Sequence, residues 1–328
     1  MDSLISSQPL VSILINNYNY GHLLTDAINS ALAQNYGNVE VIVVDDGSTD
    51  NSKDLLEPYK GKITSVLKAN GGQASAMNAG FAVSKGEIVC FLDADDLFLP
   101  ERLTRVVDIF QTTSNIDWVF TESMPVETSK IEKGTLNSLF DSIRKDSDAK
   151  TLARIDFRTD LLKGKFADFL PSTSNLCFSR KILEKIFPLP EIKGLSGMAI
   201  TDLYIKNLAI GLSPGCVTKE NLGIYRFHDN YYSNLDIDKK RKMFGEIYTT
   251  TGYWIQKRFP EFKSISQRIV TKGFATYLSS KYVSSNPTDA DCPLMFESYM
   301  RSLSLPEKLQ SLLFLSYYRS RLAFKDFV

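Results

Sequence analysis

The chain alternates between short runs of apolar, β-branched residues and longer stretches in which apolar residues recur every three to four positions. Residues 10–16, LVSILIN, are the kind of run that makes a strand buried on both faces. After the turn-forming NYNYGH comes LLTDAINSALAQ, where Leu23, Leu24, Ala27, Ile28, Ala31 and Leu32 mark one face of an amphipathic helix. VEVIVVDDGSTD (39–50) predicts a second strand ending in acids and a Gly-Ser turn, SKDLLEPY a short helix, and ITSVLKAN (63–70) a third strand. A Gly-Gly turn, a helix over 73–84, a fourth strand in EIVCFLDADD and a helix in PERLTRVVDIF, with Pro100 in its first turn, complete the pattern. Strand–helix alternation at this spacing predicts an α/β fold, a doubly wound, mostly parallel sheet flanked by helices. Ligands of such sheets sit outside the carboxyl ends of the strands. Three strands here end in polar clusters, Asn16-Asn17-Tyr18, Asp45-Asp46-Gly47 and Asp93-Ala94-Asp95-Asp96, which converge on one edge and form the candidate site.

Beyond residue 120 the pattern loosens. Residues 121–170 read as irregular and polar, with helices near 135–146 and 149–163. FLPSTSNLCFSRKILEKIF (169–187) reads as a turn, a short strand and a helix, residues 194–212 as a Gly-rich loop opening into a helix, and 216–228 as the last strand. From about 235 the chain is helical in character. The expected organisation is therefore an α/β domain over 1–234, with a first half over about 8–115 and a second over about 116–234, and a helical C-terminal region over 235–328.

Charge sharpens that division. Residues 1–234 carry a net −6 and residues 235–328 a net +6, which gives a formal charge of zero and no global signal for nucleic acid. Cys90, Cys177, Cys216 and Cys292 lie far apart with no CxxC pairing, as expected of buried thiols in a reducing compartment. MDSLISSQPLVSIL lacks a basic n-region and a long apolar h-region, and no apolar run reaches the length of a spanning helix. The expected location is the cytoplasm. Attraction of Lys239-Lys240-Arg241-Lys242 to an anionic membrane stands beside the plainer reading of a solvated helix start.

Three acids within CFLDADDLFLP need an explanation, because crowded carboxylates at a buried edge repel one another and lose hydration. A helix cap needs one acid, acid–base chemistry could use two, and a divalent cation bound through oxygen ligands would offset the repulsion. Asp45-Asp46 stands where acids of dinucleotide folds bond a base or ribose. Asn16, Asn17 and Tyr18 add amides and an aromatic face, and Gly71-Gly72 gives access to backbone. A nucleoside diphosphate bridged by Mg²⁺ or Mn²⁺ joins these parts.

These segments resemble a known family. VSILINNYNYGHLLTDAINSALAQ, VEVIVVDDGSTD and NGGQASAMNAGFAVSKGEIVCFLDADDLFLPERL, about 95 residues in order, look like the nucleotide-binding half of the family 2 glycosyltransferases, which have the Rossmann-like GT-A fold, and DADD is similar to their DxD motif. PSTSNLCFSRKILEKIFPLPE resembles the acceptor-side segment, ITDLYIKNLAI the segment with the catalytic base, and YRFHDNYYSN the Tyr-Arg-x-His element that closes the site. The resemblance covers roughly 10–234. It implies an inverting, metal-dependent transfer of a sugar from a nucleotide-diphosphate-sugar, UDP-sugars favoured, to a glycan or lipid-linked acceptor hydroxyl, in cell-envelope or surface polysaccharide assembly. It implies Asn16, Asn17, Tyr18 and Gly72 around the nucleotide, Asp46 on the base, and Asp93 at the start of the DxD motif. Asp95 would bond the ribose or share the metal with Asp96, His228 would ligate metal or diphosphate, and Asp202 would be the base. Two positions depart from the family: Asn16-Asn17 stands for Pro-Thr, and Thr201 for the Glu before the base. The Gln-x-x-Arg-Trp motif of processive synthases is absent, which points to transfer of a single sugar.

Two other readings are weighed against this one. A nucleotidyltransferase of similar fold should carry a basic residue in its N-terminal loop, which INNYNYGH lacks; a catalytically silent nucleotide-sugar-binding module should have lost its acids, and all three remain. Several residues have simple structural roles: Asp45 as a turn brace, Asp50 and Asn51 as caps, Asn78 on a loop carbonyl, Trp118 in the core, Trp254 on a helical apolar face, and His22 in solvent. The Tyr-rich segment 309–324 reads equally as a dimer contact or as packing on the catalytic domain.

Overall fold

A computed structural model of the chain describes residues 6–131, 136–146, 151–169, 171–192, 200–227, 235–283 and 291–324. It divides into two compact units: Met1–Phe157, Asp168–Glu191 and Leu212–His228 form a sheet unit, and Arg158–Ala167, Ile192–Gly211 and Asp229–Val328 form a helical unit. Two stretches before residue 235 thus group with the C-terminal helices.

In the sheet unit the first strands are β1 (Val11–Asn17), β2 (Val39–Asp45), β3 (Thr64–Leu67) and β4 (Ile88–Asp93). They are linked by helices α1 (Gly21–Leu32), α2 (Ser52–Leu56) and α3 (Gln73–Val83). All four pair in parallel, in the order β3-β2-β1-β4. Apart from Val39, the valines and isoleucines of β1, β2 and β4 are buried on both faces, as a sheet covered by helices requires. Register places Asn17 beside Asp45 and Asn16 beside Asp93, so the three polar strand ends do meet on one edge.

The rest of the sheet is mixed. β5 (Leu97–Phe98), helix α4 (Arg102–Thr112), β6 (Trp118–Glu127), helix α5 (Leu136–Asp146) and β7 (Leu152–Ile155) come next. After the short α6 (Arg158–Leu162) of the helical unit come β8 (Leu176–Ser179) and α7 (Arg180–Ile186). α8 (Ile200–Leu212) leads to β9 (Gly215–Phe227). β8 is antiparallel to both β4 and β6, whereas β6 runs parallel to β9, and β5 and β7 close antiparallel onto β9. The nine described strands thus form one sheet, parallel from β3 to β4.

Two expectations are corrected here. Residues 149–163 are not one helix: Arg154-Ile155-Asp156-Phe157 alternates polar and apolar, and β7 pairs with β9 before the short α6 begins. Nor is the stretch after Phe120 irregular throughout, because β6 continues to Glu127. It does so through register shifts around Glu122 and past Pro125, which breaks the apolar alternation that marks a strand.

The helical unit holds α6, most of α8, and α9 (Ile237–Arg258), α10 (Lys263–Leu278), α11 (Asp291–Ser302) and α12 (Leu305–Phe324). Among its described residues Val270, Tyr299 and Leu303 form a core flanked by Tyr253, Phe296 and Met300, with the Phe274 and Phe296 rings stacked 3.8 Å apart.

Trp118 is the largest wholly buried side chain, and its indole N–H donates to the Ser213 carbonyl at 2.8 Å. Its parallel partner is Gly215, where a Cβ would lie only 2.0 Å from the indole ring. Gly215→Ala is expected to lower unfolding free energy by about 1–3 kcal/mol through overpacking. Denaturant titration checks this, and an unchanged midpoint would contradict the packing described.

Candidate functional site

The edge is built from three loops. At the end of β2, Asp45 and Asp46 are both buried and turn in different directions. Asp45 braces the β1 end, accepting from Asn17 Nδ2 at 2.9 Å and from the Ser48 amide at 3.0 Å. This is the turn role expected of it. Asp46 reaches the neighbouring loop: its carboxylate accepts from Lys68 Nζ at 2.6 Å and from the Gly71 and Gly72 amides at 3.0 and 2.8 Å. Gly47, at φ +75°, makes that turn, and a Cβ there would lie 2.6 Å from the Asn70 amide nitrogen. Gly72, at φ +83°, then caps α3. Asp50 accepts from the amides of Gly21, the first residue of α1, and of Ser52 in α2. Both are helix starts, as expected of a capping acid, while the Asn51 side chain makes no cap bond.

Tyr18 is exposed beside these loops. Asn16 is the opposite case: both polar atoms of its amide are buried and, among the described residues, neither has a hydrogen-bond partner. A buried amide in that state is costly, and a small rotation toward a ligand would relieve it.

At the end of β4, oxygens of Asp93, Asp95 and Asp96 all lie within 4.8 Å of one another. Asp96 is buried and anchored from two sides, accepting from Ser174 Oγ at 2.6 Å and from the Arg226 amide at 3.0 Å. Ser174 Oγ also accepts from the Asp93 amide at 3.1 Å, so one hydroxyl ties both ends of DADD. Behind it, the wholly buried Arg102 donates to the Ser174 carbonyl and to Thr121 Oγ1, each at 2.8 Å, and lies 4.1 Å above the Phe98 ring. Arg226 is buried too, its guanidinium 3.1 Å from Asp26 of α1.

Burial, and after it the Asp95 charge, push Asp96 up to about 7 despite the Ser174 and Arg226 bonds. The Tyr225 phenol is raised by its own burial and then by the charges of Asp96, Asp95 and Asp93, so it stands against the same cluster. A small divalent cation holds its oxygens at about 2.1 Å, so ligands on one ion lie up to about 4.2 Å apart. The three carboxylates need close only slightly to meet that limit, and a cation would remove the repulsion that raises Asp96. The residues fit such an ion.

Asp202 lies in the first turn of α8, in the helical unit, with Lys206 Nζ 3.0 Å away one turn later. The Tyr248 phenol faces the same carboxylate. Thr201, in place of the family's Glu, is buried. His228 lies outside the described residues, as does most of the Gly-rich loop before α8. Asn78 bonds the Leu189 carbonyl at 3.0 Å and accepts the Leu189 amide at 2.6 Å, the loop role read for it. All four cysteines are buried and none is in a disulfide.

The description "Glycosyl transferase family 2" matches residues 12–187. The chain belongs to that family.

Among its relatives, an uncharacterized glycosyltransferase of Nostoc sp. is 35% identical over 228 residues, 66% of this chain and 65% of that protein. The Escherichia coli UDP-Glc:α-D-GlcNAc-diphosphoundecaprenol β-1,3-glucosyltransferase WfaP is 34% identical over 105 residues, 31% of this chain and 42% of that protein. The matches thus span less than two thirds of either relative. In fold, this family 2 chain resembles Staphylococcus aureus TarS 1–349 in complex with UDP-GlcNAc (TM-score 0.57, 17% identity, 94% of this chain and 80% of that one). It also resembles the Pyrobaculum calidifontis mannosyltransferase PcManGT in complex with GDP-Man and Mn²⁺ (0.52, 18%, 98% and 87%). Both likenesses support the GT-A architecture.

Sequence reasoning passed over Ser174, Arg102 and Lys68, while Tyr225 is the Tyr of the Tyr-Arg-x-His element. A serine before a short strand or an arginine opening a helix carries no local signal, since their roles arise only when β8 is laid beside β4.

The raised Asp96 has a sign. In the folded chain it binds its proton more tightly than in the unfolded one, so its contribution to stability is full below about pH 4 and lost as pH rises through about 7. Without divalent cations, the wild-type melting temperature is expected to fall across that interval relative to Asp96→Asn. Identical pH profiles by calorimetry would contradict the placement of Asp96.

Proposed function

We propose that this family member is a metal-dependent, inverting glycosyltransferase. It moves a single sugar from a nucleotide-diphosphate-sugar, a UDP-sugar by preference, to an acceptor hydroxyl. The carrying observation is the triple carboxylate at the mouth of β4, beside the Asp46 loop and the unsatisfied Asn16 amide. In this reading Asn16, Asn17, Tyr18 and Gly72 surround the nucleoside, and Asp46 meets a base N–H in place of the Lys68 ammonium. Asp93 shapes the motif while Asp95 bonds ribose or shares the cation with Asp96, and His228 is a further ligand. Bound there, Mn²⁺ or Mg²⁺ would offset the negative charge developing on the departing diphosphate. Ser174, the Arg226 amide and Arg102 behind them hold Asp96 in place for that task.

Asp202 is the proposed base. Its carboxylate, 3.0 Å from the Lys206 ammonium, would take the acceptor's proton as the hydroxyl attacks the anomeric carbon from the face opposite the diphosphate. WfaP, whose name gives a diphosphoundecaprenol-linked acceptor, supports a lipid-linked glycan and hence cell-envelope assembly, with the protein working from the cytoplasm at the inner face of the plasma membrane.

Asp202→Asn should cut transfer by roughly 10²–10⁴-fold while leaving donor affinity within about twofold, because the lost group acts only on the attacking hydroxyl. A transfer assay with labelled donors, paired with equilibrium donor binding, checks both halves. Full turnover by the variant would place the base elsewhere.

A further inference from the structure

One surface of the helical unit is built for something beyond donor and acceptor. Along α12, Leu305, Leu309, Leu312, Leu313 and Tyr317 recur at helical spacing and all face outward, Leu305 and Leu313 at 71% exposure. The opposite side of the helix is fixed to α10. Ser311 is wholly buried and accepts from Gln267 Nε2 at 2.8 Å, the same amide donates to the Glu307 carbonyl at 3.0 Å, and Arg268 lies 5.0 Å above the Phe314 ring. The apolar stripe is therefore not the packing face turned the wrong way. It is a second apolar face about 18 Å long from Leu305 to Tyr317, given the rise of about 1.5 Å per residue.

Charge selects its occupant. The helix carries Lys308, Arg319 and Arg321 and a single acid, Glu307. Glu307 accepts from the amide and hydroxyl of Ser304 and pairs with Lys263 at 3.4 Å. At 100° per residue, Arg319 and Arg321 lie at the two edges of the leucine stripe, both exposed, with no carboxylate between them. A second copy packed parallel would set arginines against arginines, and one packed antiparallel would set them against the Leu305–Lys308 end, with no carboxylate on the leucine face in either case. A bilayer with anionic headgroups meets leucines with acyl chains and both arginine edges with phosphates, and leaves Tyr317 at the interface. The basic run at the start of α9 is a poorer candidate, since Lys239 lies 3.8 Å from Asp236 and Arg241 3.3 Å from Asp238. No described helix is long and apolar enough to cross a membrane, so the contact is one of lying on the surface.

We propose that the outward face of α12 docks the protein on an anionic lipid surface. Leu305, Leu309, Leu312 and Leu313 enter the headgroup–acyl boundary, and Arg319 and Arg321 pair with lipid phosphates. The contact requires neither donor nor acceptor, so it stands or falls separately from sugar transfer.

The test is flotation of the full chain with vesicles of phosphatidylcholine, alone or with about 30 mol% phosphatidylglycerol. Wild type is expected to bind the anionic vesicles at least about tenfold more tightly than the neutral ones. Leu309→Ser with Leu313→Ser should lose binding by about tenfold or more, and Arg319→Glu with Arg321→Glu should abolish the anionic preference. Melting temperatures should be unchanged, because every substituted side chain is exposed. Tyr317→Trp gives a direct readout: its emission should be quenched by brominated lipid, whereas the wild-type tryptophans should not be. Failure to float, flotation unaffected by either pair, or a concentration-dependent dimer in lipid-free ultracentrifugation that Leu313→Asp dissolves would each overturn the proposal.

Discussion

The carboxylate crowding at the end of β4 is the constraint around which the sheet unit is organised. Three acids with oxygens inside 4.8 Å cannot all be ionised near a buried edge without compensation. The fold supplies part of it through hydrogen bonds to Asp96 from Ser174 and from the Arg226 amide. Those donors come from the two places where the sheet departs from a simple parallel array. The antiparallel β8 follows Ser174 and lies against β4, and the long β9 carries Arg226 past the same edge. The mixed half of the sheet thus serves the parallel half's chemistry. The donors do not finish the task, since Asp96 still sits at about 7, and the remainder is what a cation would supply.

The neighbouring acids follow a different logic. Asp46 is satisfied by its own chain, through Lys68 and the Gly71 and Gly72 amides. It shapes a loop at the site's rim before any ligand arrives. Asp45 does the same for Asn17 and the Ser48 turn. Two acids adjacent in sequence thus fix two different loops, and the only wholly unsatisfied amide described at this edge is that of Asn16. Recognition would then fall to Asn16, to the exposed Tyr18 and to groups that exchange with Lys68.

Much of this was legible in the residues. β1, β2 and β4 are apolar runs with one possible role, and their polar ends meet on one edge because parallel strands must end on the same side. The errors came where a signal depends on partners far away. β7 is four mostly exposed residues that only β9 makes into a strand, and β6 hides behind Glu122 and Pro125, where its ladder to β9 shifts register. Ser174 and Arg102 were silent because a hydroxyl and a guanidinium announce nothing until a third element brings Asp96 within reach. The pairing of Asp202 with Lys206, by contrast, is an i,i+4 relation readable from ITDLYIK once the helix is placed.

The central claim is that the acids hold an ion which in turn holds the donor. It is tested most directly by calorimetric titration of UDP, GDP and dTDP, with and without Mn²⁺, into wild type and Asp96→Ala. The account predicts that one nucleotide binds tightly only with Mn²⁺ present, and that Asp96→Ala loses the metal-dependent part of that affinity. Equal affinity with and without Mn²⁺, or an Asp96→Ala protein that binds as wild type does, would mean that the acids brace a loop and hold no ion.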